Sequence, residues 1–128
     1  MSAPIEPRDR RWPRRVYAAG SEPDPRFTFA NERTFLAWIR TGLGFLAAGV
    51  AIAAVAGWTD RLELEIRLAA AVLVSCGLAC GVGAFSRWMG NERAMRLNEP
   101  LPSSPLLLVL TAIVAGIGIV ALIVVAFR

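Results

Sequence analysis

The chain has no histidine, no lysine, one tyrosine and two cysteines in 128 residues. Without histidine, the commonest general base and metal ligand is missing. Cys76 and Cys80 both fall inside a long apolar run with no carboxylate nearby. They make no credible metal site and read as small packing residues. No nucleophile stands beside a base, and no carboxylate pair lies in the apolar segments. The sequence therefore argues against an enzyme, and no metal or cofactor is expected. The missing lysine leaves arginine as the whole of the 14 basic residues. That bias is consistent with a GC-rich coding sequence and carries no ligand specificity.

What is present is hydrocarbon. Hydrophobic residues make up 55% of the chain, against about 45–50% apolar in soluble domains. They gather in three blocks, Phe35 to Trp58, Leu68 to Trp88 and Leu106 to Phe127. Each is close to the roughly 20 residues that a helix needs to cross the hydrocarbon core. No charge occurs from Gly42 to Gly57, from Leu68 to Ser86 or from Leu106 to Phe127. A soluble fold would need a polar outer shell that these blocks cannot supply. The expected fold is an all-α membrane protein with three transmembrane helices, about 35–58, 66–88 and 106–127. The first block follows 34 residues of polar chain and no small-residue cleavage site, so it reads as an uncleaved anchor.

Arginine placement sets the expected orientation. Arg8, Arg10, Arg11, Arg14, Arg15, Arg26 and Arg33 precede the first block, and Arg87, Arg93 and Arg96 follow the second. The connection between the first two blocks mixes Arg61 and Arg67 with Asp60, Glu63 and Glu65. The positive-inside rule then places the N-terminus in the cytoplasm and the C-terminus outside.

Residues 1–24 are rich in Pro and Arg and read as a disordered or loosely tethered tail, with residues 25–128 forming the transmembrane domain. The "RDRRWPRR" cluster is a topology signal or a contact for anionic lipid, at about 1 kcal/mol per basic residue near the surface. A soluble polyanion is the other candidate for this tail. No folded nucleic-acid module is present, so no nucleic-acid partner is expected. In "PDPRF", Asp24 suits a helix cap and Pro25 the first helical position. The first helix then runs from near Pro25 to Trp58, with Asn31 as the alternative cap.

That helix carries a stripe. At 100° per residue, Arg33 and Arg40 differ by about 20°, and Arg26 shares their face. Ala37, Gly44, Ala48 and Ala51 continue it, so the face is basic and then small. Small residues mark helix contacts in lipid, and intramembrane charges favour bundle interiors or wet paths. Two readings of Arg40 stand: it faces an acidic partner or an anion, or it snorkels toward the headgroups. "NER" occurs at Asn31 to Arg33 and again at Asn91 to Arg93. Both copies place Glu and Arg at one membrane surface. Glu32 is expected to pair with Arg33 of a neighbouring helix or with Arg87, Arg93 or Arg96. Glu92 belongs to the same layer. The second helix adds a GxxxG spacing at Gly77 and Gly81, a packing signal that a bundle or a subunit interface satisfies equally.

"RFTFANERTFLAWIRTGLGFLAAGVAI" (Arg26 to Ile52), followed by "RWMGNERAMRLNEPLP" (Arg87 to Pro102), resembles the YidH family of small bacterial inner-membrane proteins, within domain-of-unknown-function family 202. The resemblance covers nearly the whole chain after residue 24. It implies a bacterial inner (plasma) membrane location and supplies no settled activity. The same domain is similar to the membrane part of the eukaryotic vacuolar transporter chaperone complex, where first helices form a ring around a polyphosphate path. That likeness implies path-facing roles for Arg33 and Arg26, with Glu32 as an ion-pair partner. The chain departs from that complex in lacking a polymerase or sensor domain, and in carrying Arg40 where the eukaryotic motif is uncharged.

The resulting expectation is a homo-oligomeric helical bundle embedded in the lipid bilayer. The candidates for an anion path or an interface are Arg26, Asn31, Glu32, Arg33 and Arg40. Arg87, Glu92, Arg93 and Arg96 form a cytoplasmic layer, and Gly44, Ala48, Gly77 and Gly81 pack helices. Three helices enclose no pore for a hydrated solute, so a transport path requires an oligomer. A non-conducting scaffold that docks a partner protein is the alternative.

Overall fold

A computed structural model describes residues 9–58 and 64–127. The first eight residues of the tail, Asp60, Arg61 and Glu63 of the first connection, and Arg128 lie outside the described residues. Four helices follow in order: α1 (Arg14–Tyr17), α2 (Pro25–Trp58), α3 (Leu64–Leu97) and α4 (Pro105–Ala126). The last three are long and apolar enough to cross a membrane.

α2 takes the earlier of the two expected starts. The Arg26 amide donates to Asp24 Oδ1 at 2.9 Å, and the Phe27 amide donates to the Asp24 carbonyl at 3.0 Å. Asp24 thus satisfies amides that have no partner within the helix. At 1.5 Å per residue, the 34 residues of α2 span about 51 Å, against a hydrocarbon core of about 30 Å. α3 has the same length and continues beyond the expected span of about 66–88 to Leu97, the point to which the sequence allows the helix to run on into water. Asn98 stops it in a left-handed conformation, φ 54°. The Glu99 amide reaches back to the Ala94 carbonyl at 2.9 Å and the Asn98 amide to Met95 at 3.4 Å. This is a Schellman stop, with Pro100 just beyond it.

α2 and α3 form an antiparallel hairpin. On α2, the buried or half-buried positions Asn31, Phe35, Trp38, Gly42, Phe45 and Gly49 alternate steps of four and three. This is the spacing of a heptad seam. The helices touch through backbone at its centre. A β-carbon on Gly42 would lie 3.1 Å from the Gly77 carbonyl oxygen, and one on Gly77 would lie 2.8 Å from that of Gly42. One on Gly49 would lie 2.9 Å from the Ala70 carbonyl oxygen. Of the four expected packing positions, Gly77 lies in this contact. A β-carbon on Gly44 or Gly81 would meet nothing within 4 Å, and Ala48 is exposed.

α4 buries none of its residues. It meets α3 near its first turn, where Leu106 lies over Gly83.

Residues 9–24 do not behave as a loose tail. They form a strap against the C-terminal part of α3. Val16 is 1% exposed. Trp12 stacks on Phe85 with ring centroids 6.2 Å apart, and Tyr17 meets Trp88 at 6.4 Å. The Ser21 amide donates to the Arg96 carbonyl at 3.0 Å. Low average apolar content suggested disorder, but three well-placed apolar side chains and paired charges suffice to dock the segment.

Candidate functional site

The polar ends of α2 and α3 meet beyond the apolar runs, and the two "NER" copies face each other there. Glu92 is fully buried. Its Oε1 accepts from Thr28 Oγ1 at 3.0 Å, and its Oε2 accepts from Asn31 Nδ2 at 3.4 Å. Asn31 Nδ2 also donates to the Trp88 carbonyl at 3.1 Å, while its Oδ1 accepts from Asn91 Nδ2 at 3.2 Å. Arg96 Nε lies 3.8 Å from Glu92 Oε1, one helical turn on. A buried carboxylate is tolerable only when paired and hydrogen-bonded. Here the partners come from both helices, so the carboxylate fixes their register.

The strap closes this network from outside. Arg96 Nη2 donates to Glu22 Oε2 at 3.1 Å and to Oε1 at 3.2 Å. The Arg96 and Arg11 guanidiniums lie 4.8 and 4.6 Å from the centre of the Tyr17 ring. Arg11 also pairs with Asp9 at 2.7 Å and with Glu22. The Arg11 hydrogen bond, with smaller help from Arg96, holds the Glu22 carboxyl below its ordinary value against partial desolvation. Arg11 likewise pulls Asp9 down to about 2. Arg93 Nη1 donates to the Arg15 carbonyl at 2.8 Å. Gly20 makes the close approach possible. Its φ is +54°, and a β-carbon there would fall 1.9 Å from the Arg96 carbonyl oxygen.

The first-helix candidates divide. Asn31 is buried in the network. Arg26, Arg33 and Arg40 are exposed, as are Ala37, Gly44, Ala48 and Ala51 on the same face. This face lies about 150° around α2 from the α3 seam at 100° per residue. None of the three arginines pairs with a carboxylate among the described residues. Glu32 is exposed beside Phe35, Phe85 and Trp88 and pairs with none of Arg87, Arg93 and Arg96. Within the chain, Glu92 and Glu22 supply the acidic partners instead. Thr28, Glu22, Arg11 and Tyr17 were not anticipated. For Thr28 a signal existed, since it stands three residues before Asn31 on one helix face.

Arg87 stands apart from the network. Its Nη1 donates to Ser104 Oγ at 2.9 Å, its guanidinium lies 5.8 Å from the Trp38 ring centre, and its buried Nε has no hydrogen-bond partner. Among the described residues, no group of three or more acidic or cysteine side chains could hold a metal.

Comparison with known proteins agrees with this architecture. Residues 26–94 match the family described as Domain of unknown function (DUF202). The chain is 42% identical to "Inner membrane protein YidH" of Escherichia coli K12 over 109 residues, covering 84% of this chain and 93% of that protein. It is 44% identical to "Uncharacterized protein Rv2272" of Mycobacterium tuberculosis H37Rv over 105 residues, covering 82% of this chain and 85% of the relative. No solved structure matches it. The chain belongs to the DUF202 family, in its YidH branch, and is a multi-pass inner-membrane protein.

Proposed function

We propose that the chain assembles into a homo-oligomer whose α2 helices surround an axis, with Arg26, Arg33 and Arg40 directed at an anion such as phosphate or polyphosphate. One observation carries the reading. The arginine face of α2 lies opposite the α3 seam, is left uncovered by the described residues, and continues into the apolar region as Ala37, Gly44, Ala48 and Ala51. Guanidiniums at the mouth attract anions, and rings of basic side chains select them in pores. Small residues below let neighbouring helices approach. The orientation in this reading is N-terminus cytoplasmic and C-terminus outside. No catalytic step is included.

Anion flux into liposomes containing the purified protein tests it. Wild type conducts, and Arg33→Ala and Arg40→Ala lower flux while the oligomer stays intact. A well-assembled wild type that passes no anion at either voltage sign rejects the path. The polar network joining α2 to α3 would then favour the alternative, a rigid scaffold that docks a partner protein.

A further inference from the structure

A second basic site lies away from the arginine face of α2. Arg87 is the first charge after the uncharged run from Leu68 to Ser86, so it stands where the apolar part of α3 ends. It lines a cleft of about 440 Å³ between α3 and the start of α4. That volume falls within the roughly 300–1,000 Å³ of small-molecule sites. Ser86, Ser103 and Ser104 add hydroxyls, and Leu106 and Val109 form an apolar wall.

Two polar side chains there can take a ligand. Arg87 Nη1 already donates to Ser104 Oγ, so the Ser104 hydroxyl proton is free to point elsewhere. Ser104 is the N-cap residue of α4 and makes no side-chain capping bond, while its carbonyl accepts from the Leu107 amide at 3.3 Å. No carboxylate pairs with Arg87 among the described residues. Arg87 lines the cleft without a carboxylate, and a charge-assisted hydrogen bond from its guanidinium to an anion is among the stronger polar contacts.

We propose that this cleft binds a phosphate group, with Arg87 as its counter-charge, Ser104 as a hydroxyl donor, and Leu106 and Val109 against the ligand's apolar part. The phosphate belongs either to a phospholipid headgroup or to a free phosphate anion. The site is independent of the α2 arginine face and stands or falls without it.

The test uses the full-length protein in detergent with phosphatidylglycerol or inorganic phosphate as the added probe. Lipid adducts are counted by native mass spectrometry, and phosphate binding is followed by equilibrium dialysis of radiolabelled phosphate, a readout that wild type and variants share. Saturable phosphatidylglycerol binding with no response to inorganic phosphate identifies the lipid headgroup. A saturable response to inorganic phosphate identifies the free anion. Either supports the cleft when Arg87→Gln weakens binding about ten- to hundredfold, the range for a charge-assisted bond. Arg67→Gln, near the opposite end of α3, leaves binding unchanged. If Arg87→Gln fails to assemble, Ser104→Ala keeps the charge, and a loss of about fivefold is expected. Binding of neither probe overturns the proposal. So does unchanged affinity in Arg87→Gln, or in Ser104→Ala where Arg87→Gln does not assemble.

Discussion

Replacing Glu92 by alanine should destabilise the α2–α3 hairpin more than any other single loss of a carboxylate. Glu92 is fully buried and accepts from Thr28 at 3.0 Å, whereas its contacts to Asn31 and Arg96 are longer, at 3.4 and 3.8 Å. A hydrogen bond to a charged group contributes about 1.5–3 kcal/mol, and the Thr28 contact is the one short enough to take that range. Breaking a buried ion pair costs about 3–5 kcal/mol when the partner charge is left alone. Arg96 is not left alone, because Glu22 holds it from the strap side. Asn31 likewise keeps the Trp88 carbonyl. The expected cost is therefore about 2–4 kcal/mol, dominated by Thr28 and by the space left behind. Glu92→Gln keeps the size and an acceptor oxygen, and should cost about half as much. The assay is reversible unfolding in mixed micelles, with Glu32→Ala as control. Glu32 is exposed and unpaired among the described residues, so its loss should stay within about 0.5 kcal/mol. A cycle with Thr28→Ala should return a coupling of about 1.5–3 kcal/mol, the range taken for their hydrogen bond. If Glu92→Ala matches Glu32→Ala, the carboxylate does not hold the two helices and the reasoning fails.

Gly77→Ala should cost about 1–3 kcal/mol in the same unfolding assay, because the new methyl meets backbone of α2, while Gly81→Ala should change stability little. Gly20→Ala should release the strap, since a β-carbon there collides with the Arg96 carbonyl, and trypsin should then cut faster at Arg14 and Arg15. Acid should release the strap as well. Glu22, which joins the strap to Arg96, titrates below its ordinary value when docked, so its contribution is complete above about pH 5 and is lost as the pH falls through its lowered value. A spin label at Ala18 should gain mobility over that window, and Glu22→Gln should make the label mobile already at neutral pH. A label that stays rigid to pH 2 would contradict the assignment.

The spans were legible because their signal is a sum over many residues. Charge-free runs and the cost of an unpaired backbone in lipid leave little choice but helices. Asp24 was legible as a cap because its chemistry is local. What could not be read depends on the rotation of one helix against another. The two "NER" copies are identical in sequence, yet Glu92 is buried and Glu32 exposed, because only one of them falls at the α2–α3 seam. Small residues lie on two faces of α2, and composition does not say which face α3 takes. It takes Gly42 and Gly49, leaving Gly44 and Ala48 uncovered. The strap was missed for a related reason. Its average is polar, but docking rests on Trp12, Val16 and Tyr17 at particular positions and on a glycine that tolerates φ +54°.

In lipid, burying apolar side chains against each other yields little, because the tails are as apolar as leucine. Helix association must then come from close packing and polar contacts. α2 and α3 have both, in the glycine contact at the centre and the Glu92 network at the end. α4 buries none of its residues, though Leu106 lies over Gly83 and Arg87 donates to Ser104 at its start. It is the least anchored of the three spanning helices. A phosphate held between Arg87 and the first turn of α4 would tie α4 to α3 with charge, where packing supplies little. The same accounting applies to the arginine face of α2. Its guanidiniums pair with no carboxylate among the described residues, which leaves them open to another copy, the lipid surface or a solute.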